Sequence, residues 1–397
     1  MKTKSLFKFI FLVIFVAGFC HAQGAIWVGT WGTSPQLAEP RNLPPPPGLT
    51  SNTLRQIVQV SVGGEKLRVR FSNVFGTDPV TLSSIHLALS AGGSAIKTGS
   101  DKALTFHGKP SVTIPAGESV LSDSFDFDLA PLSDLAVTIH FGGTSAAVTG
   151  HPGSRTTSYL QAGDWVSAPD LPKAAKTEHW YILDGIDVLA GNSSAAIVTL
   201  GDSITDGRGS GTDKNDRWPD DLASRLQADK GTANIAVLNE GIGGNCVLHG
   251  GLGPMALSRF DRDVLSQSGV RWLIVLEGVN DIGGSSNQAV ATNLIAAFEE
   301  IINKAHARNI RIYGATILPF GESFYFSPNH EAARQTVNNW IRTSGRFDSV
   351  IDFDAVTRGP QKPSQLLAAA DSGDHLHPNE VGYKMMADAI DLKLFAK

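Results

Sequence analysis

Ala195-Ala196-Ile197-Val198-Thr199-Leu200 runs without a break into Gly201-Asp202-Ser203-Ile204-Thr205-Asp206-Gly207. The first segment has the composition and length of a buried strand. The polar, glycine-bounded segment after it reads as a turn in which a helix begins. Ser203 therefore stands at the carboxyl end of a strand, the edge where open α/β sheets bind ligands and carry out chemistry. A serine in a turn ordinarily serves backbone hydrogen bonding. What lifts this one is Asp374-His375-Leu376-His377-Pro378 far downstream, with a glycine-rich turn and an Asn-Asp pair between.

Outward from this stretch the chain has two grammars. After about Ser193 apolar strand runs alternate with helical stretches: Ala233 to Leu238, Trp272 to Leu276 and Ile310 to Leu318 are the further strands. Asn287 to Arg308 places Val290, Leu294, Ile295, Phe298 and Ile302 on one helical face. Pro378 and Asn379 open a final helix carrying Val381, Met385, Ala389 and Leu392. Such alternation predicts a parallel sheet covered on both sides. From about Trp27 to about Ala190 the pattern is instead short alternating strands with almost no helical periodicity, which predicts a β-sandwich. Val58, Val60 and Val62 lead to Gly63-Gly64, read as a two-residue hairpin turn, with Leu67, Val69 and Phe71 on the return. Leu135, Val137, Ile139 and Phe141 alternate in the same way.

A serine hydroxyl is a poor nucleophile near neutral pH and needs a base within hydrogen-bond reach. His377 is the candidate base. Asp374, three residues earlier, is the candidate carboxylate that would fix its tautomer and stabilise the imidazolium. His375 competes for the role but is adjacent to Asp374. Charge developing on an acyl oxygen needs preorganised donors. Asn239-Glu240-Gly241-Ile242-Gly243-Gly244-Asn245 and Gly278-Val279-Asn280-Asp281 both follow strands and can supply them. Glycines serve tight turns as well, and Asn280 or Asp281 can equally cap a helix. The spacing is not the Gly-x-Gly-x-x-Gly of a dinucleotide loop. Asp371, Asp374, His375 and His377 could be read as metal ligands, but that would consume the base, so neither a metal nor another cofactor is expected.

With these blocks in view, the chain resembles the SGNH, or GDSL, hydrolase family over most of residues 195–397. The resemblance implies that Ser203 is the nucleophile and that its N–H joins the oxyanion hole. The second block lands on Gly244, with Gly243 one position away, the third on Asn280, and the last on Asp374 and His377. Ile204 stands where the family's second name has leucine. The implied fold is a flavodoxin-like three-layer α/β domain at 193–397. The preceding part, 23–192, looks like the jelly-roll-like β-sandwich of some secreted bacterial members. The implied activity is hydrolysis of carboxylic esters through an acyl-serine, most simply of acetyl groups on carbohydrate. A lysophospholipase or short-chain lipase with the same triad is the alternative, and a glycan-binding protein with a vestigial site is a third reading.

The leader has three parts: Lys2, Lys4 and Lys8, an apolar run from Phe7 to Cys20, and a small residue at Ala22. This is the pattern of a cleavable signal peptide at 1–22, which predicts a secreted or periplasmic protein without stable membrane insertion. Cleavage leaves 30 basic residues against 38 acidic ones and no Lys/Arg run, which argues against a nucleic-acid partner. Cys246 would be the one remaining cysteine, so no intrachain disulfide is expected. Trp218, Glu277, Asp202, Asp206 and His249 border the motifs. Core packing, capping or a place in a loop accounts for each as well as a role in the site.

Overall fold

The computed structural model describes residues 24–286 and 289–396; the expected signal peptide at 1–22 lies outside the described residues. The first part is built from antiparallel sheets. One places β1 (Ile26–Gly32) beside β8 (Leu183–Ala190), then β3 (Gly64–Ser72) and β5 (Phe125–Leu129). A second includes, in order, β7 (Ser158–Ala162), β2 (Asn52–Gln59), β6 (Asp134–Phe141) and β4 (Val80–Gly92), and a small third sheet holds Thr149–His151. Alternation along β6 works as read: Leu135, Val137, Ile139 and Phe141 are fully buried in the main core.

The expected Gly63-Gly64 hairpin does not form. β2 pairs with β6 and β7, whereas β3 pairs with β8 and β5, so the two strands belong to different sheets. Neither glycine has the positive φ that a two-residue hairpin requires. They are needed for close packing. A Cβ on Gly63 would lie 2.2 Å from the Leu129 carbonyl oxygen, and one on Gly64 would lie 2.6 Å from that of Leu189.

The second part is a five-stranded parallel sheet. Its strands are β9 (Ala195–Gly201), β10 (Ile235–Gly241), β11 (Val270–Leu276), β12 (Arg311–Ala315) and β13 (Ser349–Ile351), in the order β10-β9-β11-β12-β13. That is the flavodoxin-like order, whose switch point lies between the first and third strands in sequence. The sheet is flanked by helices α1 (Ser203–Asp206), α2 (Trp218–Ala228), α3 (Ala256–Phe260), α4 (Val279–Gly283), α5 (Val290–His306), α6 (Pro328–Thr343), α7 (Phe353–Thr357) and α8 (Glu380–Asp388). α2 packs on α8, and α5 on α6.

Strand β13 has only three residues, too short for a periodicity to show. The final helix is also turned relative to its expected face. Gly382, Tyr383 and Met386 are buried while Val381 is exposed, because Asn379 caps the helix through Gly382 N and so fixes its start. Both parts share one continuous apolar core. β1 lies against β10 so closely that a Cβ on Gly29 would meet Leu238 Cδ1 at 2.8 Å. Among the described residues no helix is long and apolar enough to cross a membrane.

Candidate active site

At the carboxyl end of β9, Asp202 caps α1 by accepting from Ile204 N at 2.9 Å, which sets Ser203 as its first residue. Gly207 closes the turn in the left-handed region at φ 98°. Ser203 Oγ is 2.8 Å from His377 Nε2, and His377 Nδ1 donates to Asp374 Oδ2 at 2.7 Å. The other carboxylate oxygen of Asp374 accepts from the backbone amides of His377 and Leu376, at 2.9 and 3.0 Å. The Asp-x-x-His segment is thus a small carboxylate-centred turn that presents its own histidine. Burial alone would raise the Asp374 carboxyl, but these amides and the imidazole outweigh it and hold the group down to about 2. His377 is held below its ordinary value by burial, opposed by Asp374 and reinforced by the positive charges of Arg208 and Arg155.

His375 points elsewhere. Its Nδ1 donates to Asp371 Oδ2 at 2.7 Å on the exposed side of the turn. The four-residue metal reading of this segment therefore splits into two separate His–Asp pairs.

Gly243, Gly244 and Asn280 line the same cleft as Ser203 and His377, a cavity of about 290 Å³. Gly244 adopts φ 71°, which a glycine takes without strain. The Asn280 amide is fixed from both ends. Nδ2 donates to the Asn245 carbonyl at 2.8 Å, and Oδ1 accepts from Tyr325 Oη at 3.0 Å. An amide nitrogen carries two hydrogens, so one remains for the cleft. Asp281 accepts from Val247 N and Leu248 N at 2.9 and 2.8 Å, tying the glycine-rich loop to α4.

Beneath the cleft lies Arg259, fully buried on α3. It donates to the carbonyls of Gly201 and Glu240, to Asn245 Oδ1 and to Ser34 Oγ, and it lies 3.4 Å from Glu277 Oε1. One guanidinium thus bonds the strand ends that carry Ser203 and the glycine loop, and approaches the strand end before Asn280. Burial pushes the Glu277 carboxyl well up, with Asp202 adding to the rise and Arg259 opposing it. Burial likewise takes Asp202 to about 7, with the Ile204 amide opposing and Asp281 adding.

Asp206 is more than a helix-start residue. Its Oδ1 is 2.9 Å from Nε2 of His151, a buried residue of the antiparallel region whose Nδ1 faces the Ser34 carbonyl at 2.9 Å. Both ring nitrogens thus face oxygen atoms and fix the orientation of the imidazole. The remaining bordering residues are structural or peripheral. Trp218 is fully buried against Phe353, Cys246 is a buried free thiol whose pKa burial raises, and exposed His249 bonds the Gly250 carbonyl. Cys246, His249 and Asp281 do come together closely enough to hold a cation, but both carboxylate oxygens of Asp281 already accept backbone amides.

Arg259, His151 and Tyr325 were not singled out from the sequence, and no local pattern marks them. Apart from Asp263, four residues from Arg259, their side-chain hydrogen-bond partners lie between 14 and 225 positions away.

Fold and site together define a class: an α/β domain of flavodoxin-like order with a Ser–His–Asp arrangement at the carboxyl edge of its sheet. Residues 199–385 match the model of the GDSL-like lipase/acylhydrolase family. Among solved structures, a protein described as lipolytic and of the G-D-S-L family, from Desulfitobacterium hafniense, is 22% identical. That match covers 49% of this chain and 97% of the other, with a TM-score of 0.39. Axe2, an acetylxylan esterase from Geobacillus stearothermophilus, is 21% identical over 50% of this chain and 92% of its own, with a TM-score of 0.38. A GDSL-like lipase from Bacteroides thetaiotaomicron is 18% identical over 50% and 87%, with a TM-score of 0.36. No curated protein matches the chain.

Proposed function

We propose that the chain is a secreted serine esterase that removes short acyl groups, acetyl above all, from carbohydrate esters. The observation that carries the reading is the unbroken chain from Ser203 Oγ to His377 to Asp374, at 2.8 and 2.7 Å, at the floor of the cleft. In this mechanism Ser203 attacks the ester carbonyl while His377 Nε2 takes its proton, and Asp374 stabilises the imidazolium that forms. The oxyanion sits among the N–H groups of Ser203 and Gly244 and the free hydrogen of the Asn280 amide. His377 then protonates the departing alcohol, and a water repeats the sequence on the acyl-serine. One base, His377, thus takes the Ser203 proton and returns it to the departing alcohol, and repeats this with water in the second half. The leader at 1–22 supports export.

The test is hydrolysis of 4-nitrophenyl esters from acetate to palmitate by wild type and Ser203→Ala. Turnover greatest for acetate and lost in the variant is the expected result. Activity rising with chain length would replace the carbohydrate reading with a lipid one. Activity that survives in Ser203→Ala would remove Ser203 as the nucleophile.

A further inference from the structure

The cleft is not walled by the α/β part alone. Arg41 and Arg155 from the antiparallel region line it together with Ser203, His377 and Arg208. This wall is anchored. His151, four residues before Arg155, is bonded to Asp206 on the nucleophile turn. Gly153 lies so close to Asp206 that a Cβ there would stand 1.9 Å from its carboxylate. Ser34, on the segment leading to Arg41, donates to the buried Glu240 carboxylate at 2.8 Å and accepts from Arg259 at 2.7 Å.

The charges on this wall are unbalanced. Of the two carboxylates lining the cleft, Asp206 is taken by His151, and Glu39 accepts from the neighbouring Gln36 and Asn42 side chains. Arg155 is mostly buried, has no hydrogen-bond partner for its Nε, and reaches Asp206 only at 3.8 Å. Arg208 lies 3.9 Å from Asp374 and is largely exposed. Arg155 and Arg208 are both close enough to His377 to lower its pKa. The same lining includes two exposed apolar side chains, Leu252 and Phe324. A partly buried guanidinium without a full set of acceptors is a ready partner for an anionic oxygen.

We propose that the antiparallel β region completes the substrate site, and that Arg155 and Arg41 select esters whose alcohol part carries an anionic group, a carboxylate or a phosphate. This rests on the cleft being the ester site. It adds a substrate class to that reading, with the two apolar side chains left for the body of a sugar ring or an acyl group.

The test is a ligand-observed NMR titration of the full chain with galactose, galacturonic acid and galactose 6-phosphate. At least one anionic sugar is expected to bind about tenfold more tightly than galactose. Arg155→Gln and Arg41→Gln should each cut that preference several-fold, and added salt should weaken it. The better of the two anionic sugars identifies the group as carboxylate or phosphate. Arg41 is exposed, so its variant is readable even if Arg155→Gln folds poorly. Equal binding of all three sugars, or a preference unchanged in Arg41→Gln, overturns the proposal. Binding does not depend on turnover. Preference without hydrolysis of any ester would remove the esterase reading alone, and ester hydrolysis without preference would remove this one alone.

Discussion

Asp374→Asn separates the two tasks that one carboxylate performs. Oδ1 holds the turn through the amides of Leu376 and His377, and Oδ2 holds the imidazole. The carboxyl lies at about 2 against an ordinary 3.8. That difference corresponds to roughly 2.4 kcal/mol favouring the ionised form in the fold. With 35% of the side chain exposed, solvent screening reduces the share that reaches stability to about 1 kcal/mol. The sign follows from the depressed pKa. The contribution is present above the unfolded value near 4 and is lost as pH falls through about 2, so at pH 7 the variant forfeits all of it. Catalysis should suffer far more, because an amide can turn its NH2 towards Nδ1 and select the wrong tautomer. It also cannot balance the imidazolium, so we expect kcat/KM for 4-nitrophenyl acetate to fall by about 10²–10⁴. The assay is kcat/KM from pH 5 to 9 beside urea unfolding at pH 7. A loss under about tenfold, with the acidic limb of the profile unmoved, would refute the assignment of Asp374 and His377 as a working pair.

Two further outcomes follow from buried groups. Gly153→Ala drives a methyl into the Asp206 carboxylate, which is bonded to His151 and almost wholly buried. It should cost about 2–3 kcal/mol in urea unfolding and lower kcat/KM, and wild-type stability would contradict the described packing. Burial raises Asp184 to about 6, with Arg70 opposing, so the unfolded chain ionises first as pH rises. Stability should fall by about 3 kcal/mol between pH 4 and 7 from this group, and Asp184→Asn should flatten that part of the unfolding curve measured against pH.

The sheet and the turn that carries Ser203 were legible because each leaves a local mark. A buried parallel strand is an apolar run, and the turn at its end is a glycine-bounded run of small polar residues. His377 was separable from His375 on spacing alone, since a carboxylate three residues back can cap the turn and reach the ring, while an adjacent one cannot. Gly63-Gly64 misled because one dipeptide serves two ends, positive φ in a hairpin or close approach between strands, and only the pairing partners distinguish them. Arg259 and His151 were beyond reach for a different reason. A buried arginine or histidine looks like a solvated one until the chain brings its acceptors together, and the Ser34 and Gly201 contacts of Arg259 span 225 and 58 positions.

The contact of β1 with β10 has a consequence for how the protein comes apart. Gly29 and Gly32 lie on Leu238 and Glu240, and the Ser34 hydroxyl is one of the partners that saturate Arg259. Cleaving the chain near residue 193 would leave an apolar sheet face bare and a buried guanidinium short of an acceptor at the base of the cleft. The two halves therefore constitute one cooperative unit. Shuffling the catalytic half alone into another protein would transfer the motifs without the scaffold that keeps them aligned.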